Sequence, residues 1–214
     1  MQRPIVEIFP IIKQVVMDLE IEFKENKGLI LTEDDLKCHL FRKLYPLFGE
    51  SEVTLEPAIK ASPLHSELYF FNGNGILSKK PDLAIIQPKN LSIYHSVELN
   101  FDSTGIRYKE MCGKEYSFCG TSIIFELKFC KSKNGITSRH IETYKKDIEK
   151  IQELQTIANT NQVGNKIIGI FIVFNKTNKK TMAFNELLQY EDETLRILYG
   201  TGNVEFHKDV NEFF

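Results

Sequence analysis

Apolar residues near the start of the chain recur at helical spacing. Ile5, Ile8, Ile12, Val15, Val16 and Leu19 form one stripe, which predicts an amphipathic helix over residues 4–23. Pro10 lies within it and is expected to kink it or delay its start. The stripe suits a core contact or a dimer contact. A second helix is predicted from Thr32 to Phe48. Thr32 with Asp35 three residues on forms a capping-box start, and Leu36, Leu40, Leu44 and Leu47 follow along one face. The pattern then changes to alternation. LHSELYFF at 64–71 predicts a strand with Leu64, Leu68 and Phe70 on one side and His65, Glu67 and Tyr69 on the other. FNGNG reads as a turn, and PDLAIIQ at 81–87 completes a hairpin.

Residues 88–120 are less regular. LSIYHSVEL predicts a further strand, and the stretch through Gly105, Gly113 and Gly120 reads as loop with some local structure. SIIFELKF at 122–129 is apolar except for Glu126 and Lys128. A long helix is predicted over 137–159, with Ile141, Tyr144, Ile148, Ile151 and Leu154 at helical spacing. IIGIFIVF at 167–174 predicts a strand buried on both faces. A short helix near 182–190 and a strand near 203–207 follow. Helices alternating with a small mixed sheet predict an α/β sandwich.

Length and composition agree with one domain. The 214 residues are 42% hydrophobic and 26% charged, the range of ordinary globular chains rather than disordered ones. A net charge of −2 excludes a generally basic coat for nucleic acid but leaves room for a local basic cleft. Only five of the 27 basic residues are arginine, so phosphate contacts by lysine are favoured over bidentate base reading. No apolar run reaches membrane-spanning length, and Glu7, Lys13 and Asp18 interrupt the N-terminal one. The expected location is cytoplasmic, with reduced cysteines. Zinc held by Cys112, Cys119 and a histidine is a minor alternative.

The chemistry shows where charges interrupt apolar strands. Asp82 opens one strand. Glu126 and Lys128, two residues apart, share a face of another, and Phe125, Leu127 and Phe129 take the opposite face. A buried charge needs a partner or a metal. Either the three groups form a structural ion pair, or they face a polar cleft holding a cation. A hard cation such as Mg²⁺ takes oxygen ligands, and Asp82, Glu126 and the Leu127 carbonyl could supply them. Lys128 could neutralise a phosphate oxygen or hold an attacking water, a set suited to metal-assisted phosphodiester hydrolysis.

Pro81-Asp82 followed by Glu126-Leu127-Lys128 resembles the PD-(D/E)xK nuclease superfamily, the restriction-endonuclease-like fold. The tripeptide alone is weak evidence. Among four acid-x-lysine occurrences, only this one follows Pro-Asp and lies in a strand with a helix next. The resemblance implies an α-β-β-β-α-β core with a mixed central sheet flanked by helices. It covers about two-thirds of the chain, from Thr32 to about Phe174, with residues 1–26 an N-terminal helical appendage and 88–120 an insertion between the second and third core strands. It implies Asp82 and Glu126 as metal ligands and Lys128 as the catalytic lysine. Glu33 matches a further glutamate that members place on the first core helix facing the metals, which implies a catalytic role at a second metal or the nucleophile, although an acid in a first helical turn also suits the helix dipole.

The resemblance thus implies a metal-dependent nuclease acting on DNA with Mg²⁺ or Mn²⁺. The alternative is an inactive binding or assembly subunit of the same fold. Lys79, Lys80, Lys131 and Lys133 flank the motif as candidate contacts to the nucleic-acid backbone, or as solvated loop lysines. His65 and Glu67 on the hairpin, and Arg139, Glu142 and Lys145 on the long helix, either approach the site or face solvent. A homodimer or a protein partner is compatible with the chain, and no membrane contact is expected.

Overall fold

The computed structural model describes residues 5–50, 52–54, 58–71, 77–93, 96–102, 105–111, 116–118, 120–161 and 166–203. Two helices come first, α1 (Ile5–Glu25) and α2 (Glu33–Phe48). The capping box opens α2 as predicted. Thr32 Oγ1 accepts from the Asp35 amide at 3.0 Å, and Asp35 Oδ2 accepts from the Thr32 amide at 3.0 Å.

Five strands form the central sheet: β1 (Leu64–Ser66), β2 (Leu83–Ile85), β3 (Thr121–Cys130), β4 (Lys166–Asn175) and β5 (Leu195–Thr201). Their order across the sheet follows the chain. β1, β2 and β3 are antiparallel neighbours, whereas β3, β4 and β5 run parallel. A parallel neighbour cannot be reached through a tight turn. The long helix α3 (Ser138–Asn161) connects β3 to β4, and a 3-10 segment, Met182–Tyr190, lies between β4 and β5.

Alternation along the strands divides the core into two layers. Phe125, Leu127, Ile170, Ile172 and Phe174 pack with Ile12, Leu19 and Phe23 of α1 and with Leu36, Leu40 and Leu44 of α2. Ile124, Phe171 and Val173 pack on the other face with Ile141, Tyr144, Ile148 and Ile151 of α3. Gly169 lets α3 come close to the sheet, because a Cβ there would lie 2.3 Å from Ile151 Cγ2. The stripe on α1 is therefore used within the core, and its fully buried Ile12, Leu19 and Phe23 make the helix more than an appendage.

Several elements differ from the sequence reading. The helix α1 continues through Pro10, which removes one ladder hydrogen bond but lies near the helix start. Leu47 is exposed, and Phe48 packs against the core in its place. The strand expected over 64–71 stops at Ser66, because Glu67 takes a left-handed φ of 56°. Phe70–Phe71 then pairs separately with Leu77–Lys79, and the rest of the predicted FNGNG turn lies outside the described residues.

Between β2 and β3, LSIYHSVEL forms strand as expected, in two pieces, and the stretch expected to be loop supplies their antiparallel partners. Ser96–Asp102 pairs with Gly105–Met111, and Leu91–Ile93 with Tyr116–Phe118. The helix near 182–190 is 3-10. A strand forms at Leu195–Thr201, where LRILYGT alternates and buries Leu195 and Ile197, and the strand expected near 203–207 lies, past Asn203, outside the described residues. Residues 204–214 are outside the described set. No helix among the described residues is long and apolar enough to cross a membrane.

Candidate active site

The site forms where β3 runs past the start of β2. Their ladder pairs Phe125 with Leu83, and the Asp82 amide donates to the Phe125 carbonyl at 3.0 Å. Asp82 and Leu83 thus both lie against Phe125, as in a β-bulge, and the Asp82 carboxylate lies close enough to Glu126 for its charge to act on it. Beyond Asp82, the odd-numbered backbone groups of β3 have no strand partner on this side among the described residues. The carboxylates meet them instead: Asp82 Oδ2 accepts from the Leu127 amide at 2.8 Å, and Glu33 Oε2 accepts from the Phe129 amide at 3.4 Å. The Leu127 carbonyl projects toward the same open edge as its N–H.

Glu126 is only 3% exposed. Its Oε1 accepts from the Lys150 ammonium. Burial nevertheless pushes its carboxyl up to about 7; the hydrogen bond and charge of Lys150 and the charge of Lys128 oppose that rise, while nearby Asp82 adds to it. Lys128 lies between two acids, with its Nζ 3.3 Å from Glu33 Oε1 and 3.3 Å from Asp147 Oδ2. Burial disfavours its charge, but the carboxylates of Glu33, Asp147, Asp82 and Glu126 together outweigh that and hold the ammonium above its usual range.

Glu33, Asp82, Glu126, Lys128 and the Leu127 backbone are thus brought together, from α2, the entry to β2, and β3. Lys79 and Lys80 are tied into ion pairs, with Glu153 at 2.5 Å and Glu67 at 2.7 Å respectively. Lys131 and Lys133 are exposed just beyond β3. His65 is half-buried rather than solvated, and burial keeps its imidazole below the usual range. Glu67 is exposed, as expected, and links Lys80 to Lys37 of α2. Arg139 and Glu142 are exposed, and Lys145 pairs with Glu186 at 3.0 Å, so none of the three is seen in a contact with the site. Cys112 and Cys119 of the zinc alternative are outside the described residues, and Cys38 and Cys130 are free thiols.

Sequence reasoning missed Asp147 and Lys150, the α3 residues that meet the motif. They flank the apolar stripe of Tyr144, Ile148, Ile151 and Leu154, so each sits at the border of the buried face. That border position was the available signal. Asp147 Oδ2 is buried and, apart from its ionic contact with Lys128, has no hydrogen-bond donor among the described residues.

Could these groups hold a divalent cation? Among the described residues no group of three or more His, Cys, Asp or Glu side chains forms a metal cage. The set at hand is the Asp82 and Glu126 carboxylates, a backbone carbonyl at the edge of β3 and an under-satisfied Asp147 oxygen. All are hard oxygen donors. Mg²⁺ commonly takes only one or two protein carboxylates and completes its shell with water and substrate oxygens, so the groups fit it. Comparison with protein-family models, curated proteins and solved structures gives no match. The chemistry therefore rests on these groups themselves.

Proposed function

We propose that this chain is a metal-dependent nuclease of the PD-(D/E)xK type, hydrolysing phosphodiester bonds in DNA. The observation that carries the reading is the meeting of Asp82, Glu126, Lys128 and the Leu127 backbone at the open edge of β3. The element order supports it too: α2, the β1–β2 hairpin, β3, α3 and the parallel strand β4 follow the α-β-β-β-α-β succession of a restriction-endonuclease-like core.

Asp82, Glu126 and the Leu127 carbonyl would hold Mg²⁺ or Mn²⁺, which when bound would acidify a water and offset charge on phosphate oxygens. Lys128 supplies a fixed positive charge toward the same space, for the attacking water or the phosphate. Glu33 holds Lys128 and caps the Phe129 amide, which makes it a positioning residue for that charge. Lys131 and Lys133, exposed beyond the strand, would neutralise the nucleic-acid backbone.

The test is incubation with plasmid and single-stranded DNA, with and without Mg²⁺ or Mn²⁺. Wild type should cut only with metal, and Asp82→Ala and Lys128→Ala should fold normally and not cut. Metal-dependent cutting by Asp82→Ala at the wild-type rate would remove the assignment.

A second reading, an inactive assembly or binding subunit of this fold, is favoured by one specific feature. α3 matches the charges of β3, Lys150 against Glu126 and Asp147 against Lys128, so the cluster is largely self-paired. That reading expects no heat on metal titration and no DNA cleavage.

A further inference from the structure

Lys150 makes two contacts at the site. Its ammonium donates to Glu126 Oε1 and, at 2.8 Å, to the Lys80 carbonyl. Lys80 lies two residues before Asp82, and Glu126 lies on β3, so one ammonium bridges the two segments that carry the carboxylates. Three positions earlier on α3, Asp147 meets Lys128 at 3.3 Å. β3 presents acid then base, and α3 answers with base and acid in the crossed arrangement.

We infer that Lys150 is the resident counter-cation of Glu126 and must give way when a divalent cation binds there. The inference rests on reading Asp82 and Glu126 as cation ligands. With Lys150 in place, one Glu126 oxygen is already engaged by a full positive charge. A second cation at that carboxylate meets direct repulsion from the ammonium, and in a partly dehydrated site this repulsion is weakly screened. Lys150 has a way out. Its side chain is about a quarter exposed, at 23%, and a lysine stem is long and flexible. The protein therefore carries an internal competitor that keeps the buried carboxylate neutralised in the absence of metal and lowers its affinity for the metal.

Calorimetric titration of the full chain with Mg²⁺ tests this. Measurements at about pH 8.5 keep a proton from taking the lysine's place on the carboxylate. Lys150→Met should bind Mg²⁺ about tenfold more tightly than wild type, since the repelling charge is gone. Lys150→Gln, which can still donate to the Lys80 carbonyl, should do the same, and Lys150→Arg should stay close to wild type. In thermal melts, Lys150→Met should unfold below wild type without metal and gain more from saturating Mg²⁺. Equal or weaker Mg²⁺ affinity in the Met and Gln variants, with Glu126→Gln abolishing binding, would overturn the role of Lys150 and leave the metal ligands standing. Absence of both heat and a Mg²⁺-induced melting shift in every variant would overturn the two readings together.

Discussion

Glu67 and Glu126 both face lysines, and their carboxyls move in opposite directions. Glu67 is exposed between Lys80 at 2.7 Å and Lys37 at 2.9 Å, and these partners, the Lys80 hydrogen bond first, draw its carboxyl down to about 2. Glu126 also has a lysine on it, yet burial lifts its carboxyl to about 7. In water the pull of nearby ammonium groups is the main influence on Glu67. In the sheet, one hydrogen-bonded lysine does not replace the hydration that Glu126 has lost. The surface cluster is arranged so that its charges favour the folded state. The buried cluster holds its carboxylate against the fold's preference, and such a position suits a group reserved for chemistry.

The largest effect on this contrast should come from Lys150→Met. Without metal and near neutral pH, losing the partner of a buried carboxylate should cost about 2 kcal/mol, below the ~3–5 of a fully buried pair because Lys150 is partly in water. Urea denaturation measures it. The double variant Glu126→Leu with Lys150→Met should recover most of that loss, because an apolar pair needs no hydration.

The pH dependence should separate the two glutamates next. The Glu126 carboxyl is raised from 4.5 to about 7, so the fold favours its protonated form. Its contribution to stability is fully present below pH 4.5 and is lost as pH rises through about 7. The Glu67 carboxyl is lowered from 4.5 to about 2, so its contribution is present above pH 4.5 and is lost as pH falls toward 2. Urea midpoints measured across this range should lose their decline above pH 4.5 in Glu126→Gln and part of their acid-side decline in Glu67→Gln.

Salt should produce a smaller difference. At about 1 M salt the screening length falls to ~3 Å, so Lys37→Ala should then differ little from wild type in its urea midpoint, while Lys150→Met remains destabilised. The smallest effect concerns the backbone. Glu67 holds a φ of 56°, where a Cβ is strained. Glu67→Gly and Glu67→Ala lose the same ion pairs, and the glycine variant should melt slightly higher. Equal melting points would mean that the left-handed turn carries no strain.

Much of the site was legible in one dimension. Glu126 and Lys128 stand out because they break an apolar strand, and their spacing of two sets them on one face. Asp82 stands out beside the only strand that opens on Pro-Asp. Thr32 and Asp35 mark the start of α2 through their own local hydrogen bonds. Other features were not legible for physical reasons. The strand at 64–71 reads as continuous alternation, but Glu67 turns left-handed where its carboxylate binds Lys37 and Lys80, which come from two other segments. The strand LRILYGT is short, and its place in the sheet is set only by parallel pairing with β4.

The chain's own pattern determined the mixed α/β class, the amphipathic stripes and the position of charges within strands, because burial periodicity and capping act between near neighbours. Tertiary structure alone decided which charges meet. Asp147 and Lys150 read as ordinary helix-border residues until the β3–α3–β4 crossover lays α3 over β3, and Glu33 finds Lys128 only when α2 packs on the sheet's other face. An ion pair's energy depends on separation in space and on excluded water, and neither is written into distance along the chain.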